Sequence, residues 1–212
     1  MSESYHTLSK RGESSFSVQG SEFIGYASPK SQVSAAEAFI ETVQEQHTDA
    51  THNVPAYRVR TGDNTLGSHM LREYSNDDGE PSGSAGKPML NVLQGKELEN
   101  VVVVVTRYFG GTELGVGGLV RAYSRAVKEA VADAGVIETV PHERFTVTVE
   151  YSDSGTVRGV LESTGVEFDA HYETDVSFDV RVPIENAESL RDRLQSATSG
   201  RARINGDEST RP

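Results

Sequence analysis

Five consecutive valines, 101–105, followed by Thr106, make an unbroken apolar run of strand length, the pattern of a strand covered on both faces and the expected centre of a first domain. Upstream, Phe16-Ser17-Val18 is the only hint of a strand in the first twenty residues, and Glu22-Phe23-Ile24-Gly25-Tyr26-Ala27 reads as a better one. Ala36, Phe39, Ile40 and Val43 recur at three and four residues, predicting a helix over 35–46 with one buried stripe. Ser34 with Glu37 three residues later is the pattern of a capping box at its start. Residues 52–60 and 68–74 read as a hairpin around Thr61-Gly62-Asp63-Asn64, and Met89 to Leu93 as a short helix ending at Gly95.

Leu119, Val120, Tyr123, Val127, Ala130 and Val131 form a stripe over 117–134, closed by Gly135. Polar residues from Glu138 to Glu143, with Pro141 among them, suggest a domain junction. Beyond it, Phe145, Val147, Val149 and Tyr151 alternate, and Val157, Val160, Leu161 and Thr164 make a helical stripe closed by Gly165. Val166, Phe168, Ala170 and Tyr172 alternate again, a turn at Glu173-Thr174 leads to Val176, Phe178, Val180 and Val182, and Ala187, Leu190, Leu194 and Ala197 precede a last strand over 201–204. The order β-α-β-β-α-β matches the ferredoxin-like arrangement of four antiparallel strands backed by two helices. The expected organisation is therefore α+β in two domains, 1–140 and 141–206, with a loose tail over 207–212.

Composition adds constraints. There is no cysteine, so disulfides, thiolate metal sites and a cysteine nucleophile are excluded. No apolar stretch approaches the roughly 20 residues that cross a bilayer, and 1–20 holds no signal-peptide core, so a cytoplasmic protein without a membrane partner is expected. The net charge is −12, and lysine occurs only at 10, 30, 87, 96 and 128. That pattern suits a halophile, where a short Debye length leaves an acidic surface little self-repulsion; an ordinary acidic protein is the alternative. Acidity opposes nonspecific nucleic-acid binding but leaves room for a local basic patch.

Two glycine-rich segments carry the candidate chemistry. The first, over 75–88, contains Asp77, Asp78, Gly79, Glu80, Pro81, Ser82, Gly83, Ser84, Gly86, Lys87 and Pro88. The second, over 106–123, contains Arg107, Tyr108, Phe109, Gly110, Gly111, Gly115, Gly117, Gly118 and Arg121, with Arg125 and Lys128 on the same helical face beyond it. Backbone N–H groups and the helix dipole at the Gly110 to Gly118 turn offer a seat for phosphate or another anion. Neither segment fits a nucleotide motif: Pro81 stands where a Walker loop needs glycine, Pro88 where it needs Ser or Thr, and Val120 where the dinucleotide fingerprint needs glycine or alanine. The glycines could equally serve only tight turns, and Arg121, Arg125 and Lys128 a solvated face paired with Glu129. Asp77, Asp78 and Glu80 could surround a hard cation or simply form turns, and Ser82 or Ser84 would need His52 or His69 as a base without a nucleophile elbow.

The stretches Asp77 to Pro88, Thr106 to Gly111 and Gly118 to Tyr123 resemble the signatures of the YigZ/IMPACT family, as do Ser21 to Tyr26 and Asp49 to Asn53. One departure is Val54, where many relatives carry cysteine. The resemblance implies a first domain like the second domain of a small-subunit ribosomal protein, an α/β sandwich also found in elongation factor G, and a second domain like another part of that factor. It also implies a link to translation, since eukaryotic relatives use the shared domain in translational control under starvation. The leading expectation is a noncatalytic regulator without cofactor, docking on a ribosome, an RNA or a translation factor through Lys87, Arg107, Arg121 and Arg125. The rival is a hydrolase acting on a peptide or phosphorylated substrate with Ser82 or Ser84, Asp78, Glu80 and His52.

Overall fold

The computed structural model describes residues 4–61 and 70–206, and the chain divides near Val140 into two compact units. The first contains β1 (Tyr5–Leu8), β2 (Gly12–Val18), β3 (Ser21–Pro29), α1 (Val33–Gln46), β4 (His52–Thr61), β5 (Met70–Ser75), α2 (Gly86–Gly95), β6 (Val101–Tyr108), α3 (Gly115–Ala134) and β7 (Val136–Thr139). The second contains β8 (His142–Val149), α4 (Tyr151–Thr164), β9 (Glu167–Tyr172), β10 (Val176–Pro183), α5 (Ile184–Ala197) and β11 (Arg203–Gly206).

β6 is the centre strand of a five-stranded antiparallel sheet ordered β2-β3-β6-β4-β5. Its period-two alternation divides one valine run between two cores. Val101, Val103 and Val105 pack with Met89 and Leu93 of α2 and Tyr123, Val127 and Val131 of α3. Val102 and Val104 pack on the other face with Ala36, Phe39, Ile40 and Val43 of α1. The α1 stripe is thus the one expected, but the helix begins at Val33 with Gln32 as N-cap and no capping side-chain bond, so the Ser34–Glu37 box does not form. Ser34 already lies within the first turn, where its hydroxyl is past the position that caps.

β1 and β2 depart from the sequence reading. β1 pairs antiparallel with β7, so Glu138 and Thr139 lie in a strand and not in the junction. β2 spans far more than Phe16-Ser17-Val18 because its inward residues are small: a Cβ on Gly12 would lie 2.2 Å from the Ala130 carbonyl oxygen, and Ser14 Oγ donates to the Ala126 carbonyl at 2.9 Å. Close approach of α3 removes the large apolar residues from which a strand is recognised. The hairpin strands β4 and β5 pair as expected; the Thr61 to Asn64 turn extends outside the described residues, as do His69 and the tail over 207–212.

The second unit is a β-α-β-β-α-β domain with antiparallel strand order β11-β8-β10-β9, the ferredoxin-like topology. Phe145, Val147, Phe178 and Val180 from the sheet pack with Val157, Leu161, Leu190 and Leu194 from the helices. Ala197 is exposed and Thr198 is buried in its stead, its hydroxyl bonded back to the Leu194 carbonyl at 2.8 Å. Among the described residues, no helix is long and apolar enough to cross a membrane.

Gly12→Ala should push β2 off α3 and cost the first domain about 2 kcal/mol, the range of an overpacked core. Urea denaturation followed by circular dichroism measures this, and an unchanged midpoint would show that the β2–α3 approach is not tight.

Candidate functional site

The first glycine-rich segment is held by its own carboxylates. Asp77 accepts three backbone N–H bonds, from Gly83 at 2.8 Å, Ala85 at 3.1 Å and Gly86 at 2.8 Å. Partial burial alone would raise its pKa, but the three N–H donors together outweigh this and hold the carboxyl below its ordinary value. Because Gly86 opens α2, Asp77 fills the anion seat at that helix N-terminus. Asp78 has φ +48 and accepts the Asn53 N–H at 2.6 Å, while its carbonyl accepts Nδ1–H of His52 at 2.6 Å. Gly79 continues the turn at φ +84, beside the His52 ring. Asp77 and Asp78 therefore brace the loop, and among the described residues no group of three acidic or histidine side chains is placed to hold a metal ion.

Glu80 turns inward. It is 7% exposed and accepts from Arg107 Nη1 at 2.6 Å and from the Tyr123 hydroxyl at 2.7 Å, with His52 Nε2 at 3.9 Å. Arg107 is 5% exposed; Nη2 donates to Ser21 Oγ at 3.3 Å, and its guanidinium lies between the rings of Phe23 and Phe109, at 5.5 and 5.4 Å from their centroids. Burial first, and then the Glu80 bond, push the Tyr123 hydroxyl well above its ordinary pKa, so it remains a proton donor to Glu80. This cluster joins the two glycine-rich segments to β3 and α3. It also withdraws Arg107 from the surface, because a guanidinium facing a buried carboxylate cannot be spared for solvent.

The strand period separates Arg107 from Tyr108. β6 runs to Tyr108, so Tyr108 points to the α1 face, where its hydroxyl receives Nδ1–H of His47 at 2.8 Å and donates to Asp49 at 3.2 Å. His47 Nε2 meets the Tyr26 hydroxyl at 2.7 Å, completing a hydrogen-bonded chain on that side. Gly110 is not a free donor either: its N–H bonds to Ser21 Oγ at 3.1 Å, and a Cβ there would lie 2.0 Å from the Gly20 carbonyl oxygen. Gly111 and Gly115 have φ +86 and +66, whereas Gly117 and Gly118 lie inside the first turns of α3. Gly110 is thus packed into a corner against Gly20 and Ser21, and the helix that follows begins at Gly115.

Exposed side chains of the two segments include Asn76, Asp78, Pro81, Ser82 and Lys87 from the first and Phe109, Thr112, Glu113, Val116 and Arg121 from the second. Arg125 is exposed but committed, donating to Glu129 at 2.7 Å and stacking 4.0 Å over Phe16. Ser84 is buried with its hydroxyl unpaired, and among the described residues neither Ser82 nor Ser84 bonds a histidine. Ser21, Asn53 and Tyr123 lie in stretches that carry the family resemblance, but sequence reasoning named none of them as a site residue. A polar tip within the apolar stripe of α3 was the signal for Tyr123, since such a group seeks a buried partner.

Arg107→Met or Glu80→Leu alone should destabilise the first domain by about 3 to 5 kcal/mol, since each strands the other charge, and the double substitution should cost much less than their sum. Thermal and urea unfolding of the four proteins would measure the coupling. Asp77→Asn should cost about 1 kcal/mol at neutral pH, as for a lost helix cap. The depressed carboxyl contributes stability above the ordinary carboxylate range, and that contribution is lost as pH falls through the lowered folded value. The gap between Asp77→Asn and the parent should therefore close as the pH falls from the ordinary carboxylate range through the lowered folded value in a denaturation series.

The Impact N-terminal domain model matches residues 19–131, and a domain of unknown function, DUF1949, matches 147–201. The IMPACT family member YvyE of Bacillus subtilis is 36% identical over 211 residues, covering 99% of this chain and 94% of that one. A protein IMPACT homolog of Saccharomyces cerevisiae is 32% identical over 119 residues, or 55% of this chain and 43% of its own. A solved crystal structure of a hypothetical protein overlays with a TM-score of 0.66 at 29% identity, covering 98% of this chain and 99% of the other. On the Impact domain match and the near full-length likeness to YvyE, this chain belongs to the IMPACT family.

Proposed function

We propose that this chain is a noncatalytic, translation-linked regulator that docks on a ribosome, an RNA or a translation factor through the surface where the two glycine-rich segments meet. One observation carries the reading. The carboxylates of the first segment are engaged within the fold: the half-buried Asp77 with three N–H donors, the exposed Asp78 with the Asn53 N–H, and the buried Glu80 with Arg107 and Tyr123. Lys87, Phe109, Val116 and Arg121 are exposed, together with Asp78, Ser82 and Glu113, a mixture of charged, polar and apolar groups suited to recognition. Arg121 is exposed at the start of α3 and, among the described residues, forms no ion pair, which in a chain of net charge −12 favours an anionic partner. Membership of the IMPACT family supports the translational setting, and control under starvation, which the sequence resemblance implies, is the reason to compare growing with starved cells. The site of action in this reading is the cytoplasm.

Gradient sedimentation of a lysate at matched salt tests it. The protein should travel with ribosomal particles, and Arg121→Glu should reduce the bound fraction by roughly tenfold while leaving the melting temperature unchanged, since the charge is reversed on an exposed helical residue. Protein that stays wholly at the top of the gradient from both growing and starved cells would sink ribosome docking.

A further inference from the structure

Phe109 is an exposed aromatic ring on an immobile base. The ring is 47% exposed, yet its backbone N–H donates to Thr51 Oγ1 at 2.9 Å, and the following Gly110 is locked against Gly20 and Ser21. Its inner side faces the Arg107 guanidinium at 5.4 Å, itself fixed by Glu80 and Ser21. A platform held in this way loses little conformational entropy when something stacks on it. The guanidinium also selects the occupant. A cation on one side of a ring draws on its π density, which makes the other side a poorer receptor for a second cation and leaves it suited to a flat, polarisable base.

Gly117 is the second observation, in the helix that follows Phe109 in the chain. It lies in the first turn of α3 without a positive φ, and a Cβ there would meet only Arg121 Nη1 at 3.5 Å, an ordinary contact. Neither backbone conformation nor packing calls for glycine, although glycine weakens a helix relative to alanine. Bare backbone beside an exposed arginine permits close approach by a ligand, and Arg121 suits a phosphate. Lys128 is exposed further along α3, whereas Arg125 is paired with Glu129, which leaves Arg121 as the cation next to the bare backbone.

We propose that Phe109 stacks an unpaired base of single-stranded RNA, and that Arg121 holds an adjoining phosphate over the bare backbone at Gly117. This rests on the translational reading above and names the partner chemistry of that surface. An unpaired base is required because a base inside a duplex has no free face to offer the ring, and loops and bulges of folded RNA supply such bases. An acidic protein segment would satisfy Arg121 but leave Phe109 unused.

The test is fluorescence anisotropy at low salt with a labelled single-stranded oligouridine of about twelve nucleotides, a length that spans a typical single-strand site. A duplex RNA of equal length and a polyglutamate peptide serve as competitors. Phe109→Ala should weaken oligouridine binding by about tenfold, the scale of one lost stack, and Phe109→Tyr should restore it. Gly117→Ala should weaken binding while raising the melting temperature, a combination that damage to the fold cannot produce. The inference is overturned if the native protein does not bind the oligonucleotide, if Phe109→Ala binds as the parent does, or if polyglutamate competes as well as single-stranded RNA. Ribosome sedimentation of the same variants separates the two readings. If particles are bound equally by the parent and by Phe109→Ala, the stacking site fails while translational docking stands; loss of sedimentation in the parent sinks the docking itself.

Discussion

The ion pair between Glu80 and Arg107 is the interaction on which the rest of the first domain's candidate site depends. Both partners are almost wholly removed from water, so each requires the other. Through Tyr123 the pair fastens α3, through Ser21 it fastens β3, and through the backbone of the loop bearing Glu80 it sets the approach to α2. Segments far apart in the chain are thereby fastened together beside the apolar core to which Phe23, Ala85, Met89 and Tyr123 belong. Around this pair the outward residues have little choice of position, which is why an otherwise glycine-rich surface has a defined shape.

Much of the architecture was legible because large apolar residues mark it. The stripes of α1 and α3, the valine run of β6 and the alternation in β8 and β10 each report burial directly. β2 was largely illegible for the opposite reason: its contact with α3 depends on the absence of side chains at Gly12 and the short hydroxyl of Ser14. The α1 cap misled because Ser and Glu at the right spacing identify a helix start only when the helix begins just after the serine.

The candidate site was half legible. Clustering of glycine with Asp77, Asp78, Glu80 and Arg107 marked the two segments that the Glu80–Arg107 pair joins, but the direction of each side chain depends on pairings across the sheet. Arg107 and Tyr108 are neighbours in sequence and lie on opposite faces, since β6 extends two residues beyond Thr106. Arg107 reads as a surface cation until Glu80, 27 positions earlier, is known to oppose it. No local pattern encodes that distance. Arg121 and Gly117, by contrast, sit on a helix whose period places them on its outward face.

Asp77 has a consequence for how the first glycine-rich segment behaves in concentrated salt. A helix N-terminus that takes its anion from solution is occupied according to the composition of the medium. Here the anion is tethered a few residues from the donors it satisfies, so its effective concentration is that of an intramolecular partner and bulk chloride or phosphate competes poorly. The loop thus carries its own counter-ion, and its order is insulated from changes in the ionic strength of the cell.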